Sequence, residues 1–256
     1  MRESVYAACV DVANRVAVIT GASRGLGRGM AEEFVARGMR VAVCARTRPA
    51  VDGGDRVWAA PVDVTDGDAV DRFADEAFER FGHVDLWINN AGVLEPIGPL
   101  RDTDPAAWRR AIDINVLGVY HGTRAYVRRL RAARRTGVLV NVSSGAAYHG
   151  YAGWSAYCAS KAAVDLLTES VQLEEQADGW LRAHAVAPGV IDTDMQALIR
   201  AQSPDVFPMV DKFVEMKRRG TFSSVRWVAD HMLRLAFAPG DDAAAVRLRF
   251  PPEHAD

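Results

Sequence analysis

A tyrosine and a lysine one helical turn apart form the most chemically distinctive pair in this sequence. Tyr157 precedes Lys161 by four residues, and Ser144 lies upstream of both. The lysine stands out because the chain has only two others, Lys212 and Lys217, among its 31 basic residues. An ammonium has a pKa that its surroundings can shift, whereas a guanidinium stays protonated. A phenol, an adjustable ammonium and a hydroxyl are together the groups needed to protonate a carbonyl oxygen.

Composition narrows the class of protein. The 256 residues are 49% hydrophobic and 25% charged, with a net charge of −2, which is typical of a globular chain with a full core. So small a charge gives no general attraction to nucleic acid or to an anionic membrane. Cys9, Cys44 and Cys158 are too scattered for a disulfide framework, which favours a reducing cytoplasm.

Other sequence signals exclude further classes. No H-E-x-x-H pattern or His/Cys cluster is present, so we predict no catalytic metal. No apolar run approaches the roughly 18 residues of a spanning helix. The apolar stretch Val5 to Val10 is too short for a signal peptide. We read residues 1–14 as a tail and residues 15–256 as one catalytic domain.

Short β-rich runs alternate with helical spacing along the chain. The predicted strands cover residues 15–20, 40–45, 57–62, 84–89, 138–142, 182–186 and 244–250. Helical spacing covers 26–37, 66–81, 105–134, the Tyr157 segment to about 177, and most of 194–238. This alternation predicts an α/β protein with a parallel sheet and helices on both faces. Only Thr47 to Arg56 join the second and third strands, which is too short for a regular helix.

A glycine-rich turn follows the first predicted strand. Glycines let a backbone approach a pyrophosphate closely, and the next helix offers free N–H groups and the positive end of its dipole. Two further turns follow the third and fourth strands, at the edge where open parallel sheets bind ligands. The carboxylate after the third strand is also a fair helix cap. The candidate nucleotide-binding residues are Gly21, Ser23, Arg24, Gly25, Leu26, Gly27, Asp63, Val64, Asn90, Ala91 and Gly92.

The end of the second strand bears on the choice of cofactor. An NAD site needs a carboxylate there for the ribose hydroxyls, whereas the 2′-phosphate of NADP needs arginine. The chain reads Cys44-Ala45-Arg46-Thr47, without an acid, and Arg24 lies in the glycine turn. Either arginine alone is an ordinary surface residue, but the two together favour NADP(H).

In order and spacing, these segments resemble the short-chain dehydrogenase/reductase superfamily over about residues 15–240. The resemblance implies a doubly wound, Rossmann-type parallel sheet of seven strands that binds NAD(P), in a chain that forms dimers or tetramers. The resemblance includes the asparagine motif after the fourth strand, Asn89–Gly92, and the segment after the sixth strand that contains Pro188 and Thr193. The residues that carry it are Thr20–Gly27, Asp63, Asn89–Gly92, Asn115, Ser144, Tyr157, Lys161, Pro188, Gly189 and Thr193.

The resemblance also assigns roles. Tyr157 donates a proton to the substrate oxygen while Ser144 hydrogen-bonds it. Lys161 lowers the pKa of the phenol and reaches the nicotinamide ribose, and Asn115 holds a water that connects the lysine to solvent. Pro188 and Gly189 lead into the segment in which the Ile191 backbone and the Thr193 hydroxyl hold the nicotinamide carboxamide.

A narrower likeness links the chain to sepiapterin reductases and bacterial benzil reductases. It rests on Gly153 to Cys158, Leu173 to Glu175, Ala187 to Gln196 and the Cys44-Ala45-Arg46 turn. Sepiapterin reductases place an acidic residue in the last strand, where this chain aligns Arg247. We therefore expect a reductase of ketones or vicinal diketones that handles sepiapterin poorly. The alternatives are an NADP-dependent alcohol dehydrogenase that works oxidatively and a non-catalytic NADP(H) sensor.

Three surface segments complete the predictions. Residues 194–220 carry apolar side chains that either form a lid over a hydrophobic substrate or are plain core. Ala162, Ala163, Val164, Leu166 and Leu167 give the Tyr157 helix enough apolar surface for a homodimer or homotetramer. The arginines between Arg128 and Arg135 read as a solvated or subunit-facing surface, rather than a nucleic-acid patch, because no aromatic cluster accompanies them.

Overall fold

The computed structural model describes residues 10–238, 240 and 244–254. The predictions made for the tail before Val10, including Cys9, lie outside the described residues. Within them, seven strands form one parallel sheet. The strands are β1 (Val16–Thr20), β2 (Arg40–Ala45), β3 (Val57–Pro61), β4 (Leu86–Asn89), β5 (Gly137–Val142), β6 (Leu181–Ala187) and β7 (Arg247–Arg249).

The strand order places the first and fourth strands side by side. The sheet runs β3-β2-β1-β4-β5-β6-β7, so the chain reverses direction across the sheet between β1 and β4. Ile19 on β1 pairs in register with Ile88 on β4. Open sheets bind ligands at such a switch point, outside the carboxyl ends of the strands. The topology therefore brings the glycine turn after β1 next to the asparagine turn after β4.

Helices cover both faces of the sheet, as the alternating pattern predicts. One face packs under α1 and α8, and the other under α2, α4 and α5. Because both faces are covered, β1 is buried along its whole length and is apolar up to its last residue, Thr20. The helices are α1 (Gly25–Ala36), α2 (Gly67–Phe81), α3 (Pro105–Ile112), α4 (Gly118–Ala133), α5 (Ser155–Glu175), α6 (Asp194–Arg200), α7 (Val210–Arg219) and α8 (Val225–Phe237).

Three elements differ in detail from the sequence prediction. The helical stretch predicted over 105–134 contains a π-helical segment, Asp113–Leu117, between α3 and α4. The last strand was predicted over 244–250, but β7 is only three residues long. The link between β2 and β3 carries a single 3₁₀ turn, Gly54–Arg56, which confirms that no regular α-helix fits there.

A chain of buried polar side chains, here called the polar ladder, crosses the centre of the sheet. Asn89 on β4 donates to the Asn141 side chain at 2.8 Å and to Thr123 on α4 at 3.2 Å. Asn141 on β5 donates in turn to Thr168 on α5 at 2.9 Å. All four side chains are almost fully buried. The polar ladder therefore fixes α4 and α5 against the two strands that lead into the site.

Candidate active site

A large cleft opens at the carboxyl edge of the sheet and gathers most of the predicted site residues. Its volume is about 1230 Å³, larger than the roughly 300–1,000 Å³ typical of a site for one small molecule. Pro188 does not line it, and Asn115 lies buried behind it. The predicted residues that do line it are Gly21, Ser23, Arg24, Gly25, Leu26, Gly27, Arg46, Thr47, Asp63, Val64, Asn90, Ala91, Gly92, Ser144, Tyr157, Lys161, Gly189, Ile191 and Thr193.

The glycine turn packs tightly on the loop that follows β4. A Cβ on Gly27 would lie 2.4 Å from the Asn90 amide nitrogen, and one on Gly21 would lie 2.6 Å from the Ala91 Cα. Asn90 also donates to the Thr20 carbonyl at 2.9 Å. These two glycines are thus required by the contact between two loops as well as by any ligand.

The start of α1 fits a pyrophosphate group. Its N-cap residue, Arg24, has an extended backbone and makes no side-chain capping hydrogen bond. The first-turn N–H groups of a helix have no intrahelical acceptor, and the dipole adds positive potential there. Gly25 and Leu26, in this first turn, line the cleft. Nicotinamide dinucleotide therefore fits this end of the cleft.

The far end of the cleft carries one arginine and one aspartate. Arg46 is exposed at the end of β2 and lines the cleft with Asp63. The pKa of Asp63 is lowered, first by the hydrogen bond from the Thr65 backbone N–H at 3.0 Å and also by the charge of Arg46. The alternative role of Asp63 as a helix cap is wrong, because Asp66 caps α2 by accepting from the Ala69 N–H.

The second predicted phosphate ligand has another partner in this structure. Arg24 forms an ion pair with Asp194 at 3.2 Å, and both side chains are largely exposed. The arginine thereby bridges the glycine turn and the first residue of α6. Arg46 forms no ion pair with another described residue, and the expectation that Arg24 and Arg46 bracket one phosphate position stays a prediction.

The three residues predicted to act on a carbonyl meet at the inner wall of the cleft. Tyr157 and Lys161 lie in the first two turns of α5, and Ser144 follows β5. The Lys161 ammonium lies 5.6 Å from the centre of the Tyr157 ring and donates to the Val142 carbonyl at 2.8 Å. Burial raises the pKa of Tyr157, and a hydrogen bond with Ser144 opposes that rise. Tyr157 is therefore protonated near neutral pH, as a proton donor must be.

The pKa of Lys161 is lowered, whereas that of Tyr157 is raised. Lys161 is only 4% exposed, and burial lowers its pKa from 10.5 to about 8. The nearby carboxylate of Asp165 works against this fall. The lysine is thus charged at neutral pH but within reach of losing its proton. Burial is the largest influence on the pKa of Tyr157 here, and the lowering of that pKa by Lys161 that the resemblance implied stays a prediction.

Asn115 joins the loop after β4 to the catalytic helix. Its side-chain oxygen accepts from the Val93 N–H at 2.8 Å, and its amide donates to the Val93 carbonyl at 2.8 Å and to Ser160 at 3.1 Å. The residue is fully buried within the π-helical segment, a feature often found at functional sites. Its side chain therefore holds the loop after β4 against α5, and its water-binding role stays a prediction.

The substrate end of the cleft is apolar and aromatic. Trp154 stacks on Phe207 with 4.5 Å between ring centres, and its edge meets Tyr157 at 5.8 Å. Met195, Leu198 and Ile199 of α6, with Phe213 and Met216 of α7, form the outer wall. We call residues 194–220 the lid. Within it, Phe207 is plain core and Met209 does not line the cleft, and the role of the stretch as a cover over a substrate stays a prediction.

Sequence reasoning missed several residues of the cleft. Tyr151, Trp154 and Glu95 come from loops whose direction the sequence does not reveal, although Trp154 carried part of the resemblance. Arg247, which aligns with the acidic residue of sepiapterin reductases, lies outside the cleft and donates to Glu169 at 2.7 Å. Arg249, two residues further along β7, lines the cleft instead.

Ion pairs hold the lid and much of the surface. Asp192 forms ion pairs with Arg200 of α6, at 3.2 Å, and with Lys217 of α7. These two cations, Lys217 first, hold the pKa of the Asp192 carboxyl below its usual value.

In the segment from Arg128 to Arg135, three arginine side chains are paired with carboxylates of α2 or of residues at and just after the end of α5. These pairs are Arg128 with Asp71, Arg129 with Asp71 and Asp75, and Arg131 with Glu175 and Asp178.

Two classes of feature are missing from the part of the chain that the structure covers. No group of three or more histidine, cysteine or acidic side chains is arranged to hold a metal ion. No helix there combines the length and the apolar character needed to cross a bilayer.

Comparison with known proteins finds similarity to dehydrogenases and reductases. The family model for short chain dehydrogenases matches residues 15–204. The chain is 39% identical over 207 residues to cis-4-hydroxycyclohexanecarboxylate dehydrogenase of Sinomonas cyclohexanicum, covering 75% of this chain and 82% of that one. It is 30% identical over 229 residues to benzil reductase ((S)-benzoin forming) of Bacillus subtilis, covering 85% and 91%.

A solved structure shows the same fold. The enzyme KRED1-Pglu superimposes with a TM-score of 0.82 and 31% identity, over 92% of this chain and all of the other. The fold and the arrangement of Ser144, Tyr157 and Lys161 define a nicotinamide-dependent oxidoreductase that acts on hydroxyl or carbonyl groups. The chain belongs to the short-chain dehydrogenase family.

Proposed function

We propose that this protein is an NADPH-dependent carbonyl reductase that acts on ketones or vicinal diketones. The observation that carries the proposal is the position of Tyr157: its phenol, held protonated by burial, lines the cleft together with Ser144 and Lys161. Lys161 lies directly behind it as a charged group. A proton donor, a hydroxyl and an ammonium thus meet at a cleft with room for a dinucleotide and a substrate.

The residues of the chain divide the work at the substrate oxygen. When bound in the cleft, a nicotinamide cofactor would supply the hydride for the carbonyl carbon. As negative charge develops on the oxygen, the Ser144 hydroxyl donates a hydrogen bond and Tyr157 transfers its proton. Lys161 stabilises the phenolate that remains, since an ammonium nearby favours the charged form of an acid. The apolar side chains of α6 and α7 lower the local dielectric constant, which strengthens these interactions.

The preference for NADPH is supported by the charge at the far end of the cleft. Arg46 is exposed, lines the cleft and has no ion pair among the described residues. The Arg24–Asp194 contact is between exposed groups, which are worth at most about 1 kcal/mol. A 2′-phosphate therefore competes easily with Asp194 for Arg24 and meets Arg46 on its other side.

The substrate class is supported by the composition of the other end. Trp154, Met195, Phe213 and Met216 line it, which suits an apolar or aromatic ketone. One relative with 30% identity is named for benzil, an aromatic diketone. That likeness, together with the apolar wall, is why we infer ketones or vicinal diketones rather than polar sugars.

Oxidation of an alcohol is the second candidate. The relative from Sinomonas cyclohexanicum is named as a dehydrogenase, and the same residues serve both directions of a reversible proton and hydride transfer. The high pKa of Tyr157 favours the reductive direction, because oxidation needs the phenolate. A non-catalytic sensor remains the third candidate, and the complete set of acid, hydroxyl and lysine argues against it.

We further propose that residues 15–256 act as one catalytic domain in the cytoplasm. We also propose that two copies of the chain pair through α4 and α5. Leu117, directly before α4, Tyr120 of α4, and Leu166 and Leu173 of α5 are between 44% and 64% exposed. Within each helix the spacing of three or seven residues places the pair on one face. Such apolar side chains on adjacent helices suit a second copy of this chain. Val164, by contrast, is buried within the protomer.

The test of the proposed function is NADPH consumption across a panel of carbonyl compounds. The panel should hold benzil-type diketones, cyclic ketones, steroid ketones, β-ketoacyl thioesters and pterins. Turnover of the apolar ketones by the wild type, and its loss in Tyr157→Phe, supports the proposal. Oxidation of the matching alcohols with no reduction at neutral pH would favour the second candidate, and cofactor binding without turnover would favour the third.

A further inference from the structure

A buried carboxylate lies one helical turn beyond Lys161. Asp165 of α5 is only 2% exposed, does not line the cleft and has no part in the chemistry described above. An ionised carboxylate is costly to bury unless hydrogen bonds or opposite charges stabilise it. Its position therefore needs an explanation in terms of its neighbours.

The first neighbour is the end of β5. The Ser143 hydroxyl, itself 4% exposed, donates a short hydrogen bond to the Asp165 carboxylate. Ser143 lies between Val142, whose carbonyl accepts from Lys161 at 2.8 Å, and the catalytic Ser144. The Ser143 main chain is fixed in turn by donating to the Val186 carbonyl at 2.8 Å. Asp165 thus holds the three-residue segment on which both the lysine and the catalytic serine depend.

The second neighbour is Lys161 itself. Burial depresses the pKa of the lysine, and the Asp165 carboxylate is the charge that opposes this. The charged groups that face Asp165 are Lys161, Arg247 of β7 and Glu169 of α5, with Arg247 paired to Glu169. Lys161 is faced by Asp165 and by the Tyr157 phenol. Asp165 therefore lies between one buried cation and one half-exposed cation.

We propose that Asp165 is a positioning residue for the reaction: it anchors the end of β5 through Ser143, and its negative charge keeps the Lys161 ammonium charged behind Tyr157. The part of this inference that concerns catalysis rests on the proposed function. The dependence of Lys161 protonation on Asp165 is independent of that function. A purely structural Asp165 would satisfy Ser143 and leave the protonation of Lys161 unchanged.

The small number of lysines makes a direct test possible. With lysine labelled isotopically at Cε, the protein gives signals from Lys161, Lys212 and Lys217 only, and Lys212→Arg and Lys217→Arg assign them. A pH titration by NMR then reports the pKa of Lys161 without cofactor or substrate. In Asp165→Asn we expect that pKa to fall by roughly one unit, because a nearby opposite charge is removed.

Two further variants control this result. Glu174→Gln removes one carboxylate from an exposed position on the same helix and should leave the Lys161 titration unchanged. Asp165→Glu keeps the charge and should restore most of the wild-type pKa. A shift in Asp165→Asn no larger than that in Glu174→Gln overturns the proposal.

If Asp165→Asn does not fold, the titration of the wild type provides the test. In the wild type, the Lys161 signal should then show a second inflection at acid pH, as Asp165 takes up its proton. A single inflection would count against the proposal in the same way.

Kinetics connects the charge to catalysis. In the reductive direction, the loss of rate at alkaline pH should begin about one unit lower in Asp165→Asn than in wild type, following the Lys161 proton. An NMR shift with no such change in the pH profile would overturn the catalytic part of the inference. An NMR shift in a protein that reduces no carbonyl compound would instead remove the proposed function and leave the dependence of Lys161 on Asp165 standing.

Discussion

The Arg24 guanidinium lies 3.2 Å from the Asp194 carboxylate, so the glycine turn and the lid touch across the mouth of the cleft. The pair joins residues 170 positions apart in the chain. Both groups are exposed, so the contact is weak and breaks easily. A cofactor phosphate that draws Arg24 away would also release the first residue of the lid.

NADPH should bind more tightly than NADH because Arg46 meets the 2′-phosphate. A hydrogen bond to a charged group contributes about 1.5–3 kcal/mol, or roughly one to two powers of ten in affinity. Arg46→Asp should narrow or reverse the preference, as measured by fluorescence titration with both cofactors. Arg48→Asp is the matched control, since Arg48 is exposed nearby but does not line the cleft. Equal affinities in the wild type would end this assignment.

Tyr157→Phe should abolish turnover while leaving NADPH affinity nearly intact, because only the proton donor is lost. Ser144→Ala should lower the rate by about 10²–10³-fold, the usual cost of one donor to a developing oxyanion. Lys161→Ala should harm both turnover and cofactor binding. Steady-state rates and cofactor titrations on the same preparations separate these effects, and substantial turnover by Tyr157→Phe would show that another acid acts.

Lys161 should make stability depend on pH in an identifiable window. Its pKa is about 8 in the folded chain and 10.5 as a free side chain. Between these values the unfolded chain binds more protons, so this residue makes the free energy of unfolding rise with pH there. Urea denaturation of wild type and Lys161→Met at several pH values measures the difference. The wild type should gain stability relative to the variant from about pH 8 to about pH 10.5; a constant difference would contradict the depressed pKa.

Pairing through α4 and α5 should be sensitive to a charge at its centre. Leu166→Arg replaces an exposed apolar side chain with a cation, and we expect a monomer by light scattering at micromolar concentration. Leu100→Arg is the control, because Leu100 is 67% exposed on a different segment. If the wild type is itself a monomer, the proposed interface is wrong.

Sepiapterin should be a poor substrate and apolar diketones better ones. A pterin's N–H groups need acceptors, and leaving them unpaired in a closed site costs about 1–3 kcal/mol. The final strand offers Arg249 to the cleft, and a cation accepts no hydrogen bond. Arg249→Asp should improve pterin reduction, whereas Arg247→Asp should not, since Arg247 faces Glu169. Efficient sepiapterin turnover by the wild type would overturn this expectation.

Much of the fold was predictable because its signals are local. The apolar run of β1, the glycine turn after it and the four-residue spacing of Tyr157 and Lys161 each act within one or two elements. The order of such elements then determines which strand ends meet. For the same reason, the residues predicted to line the nucleotide end of the cleft do so, apart from Pro188.

What could not be predicted depends on contacts between distant segments. Arg24 finds Asp194, and Arg247 finds Glu169, because of where the lid and β7 come to lie. The sequence shows that an arginine is present but not which carboxylate it meets. Burial of Asp165 is equally hidden, since an aspartate at that helical spacing reads as surface until the neighbouring strand is in place.

The polar ladder has a consequence for how the protein selects one structure during folding. If α4 or α5 slid by a turn on the sheet, the buried amides of Asn89 and Asn141 would lose Thr123 and Thr168 as partners. Each unsatisfied buried group would cost about 1–3 kcal/mol, so near-native alternatives are disfavoured. Asn115, Ser144 and Lys161 are therefore aligned by the interior of the protein before any ligand arrives, and the geometry needed for catalysis is a property of the empty fold.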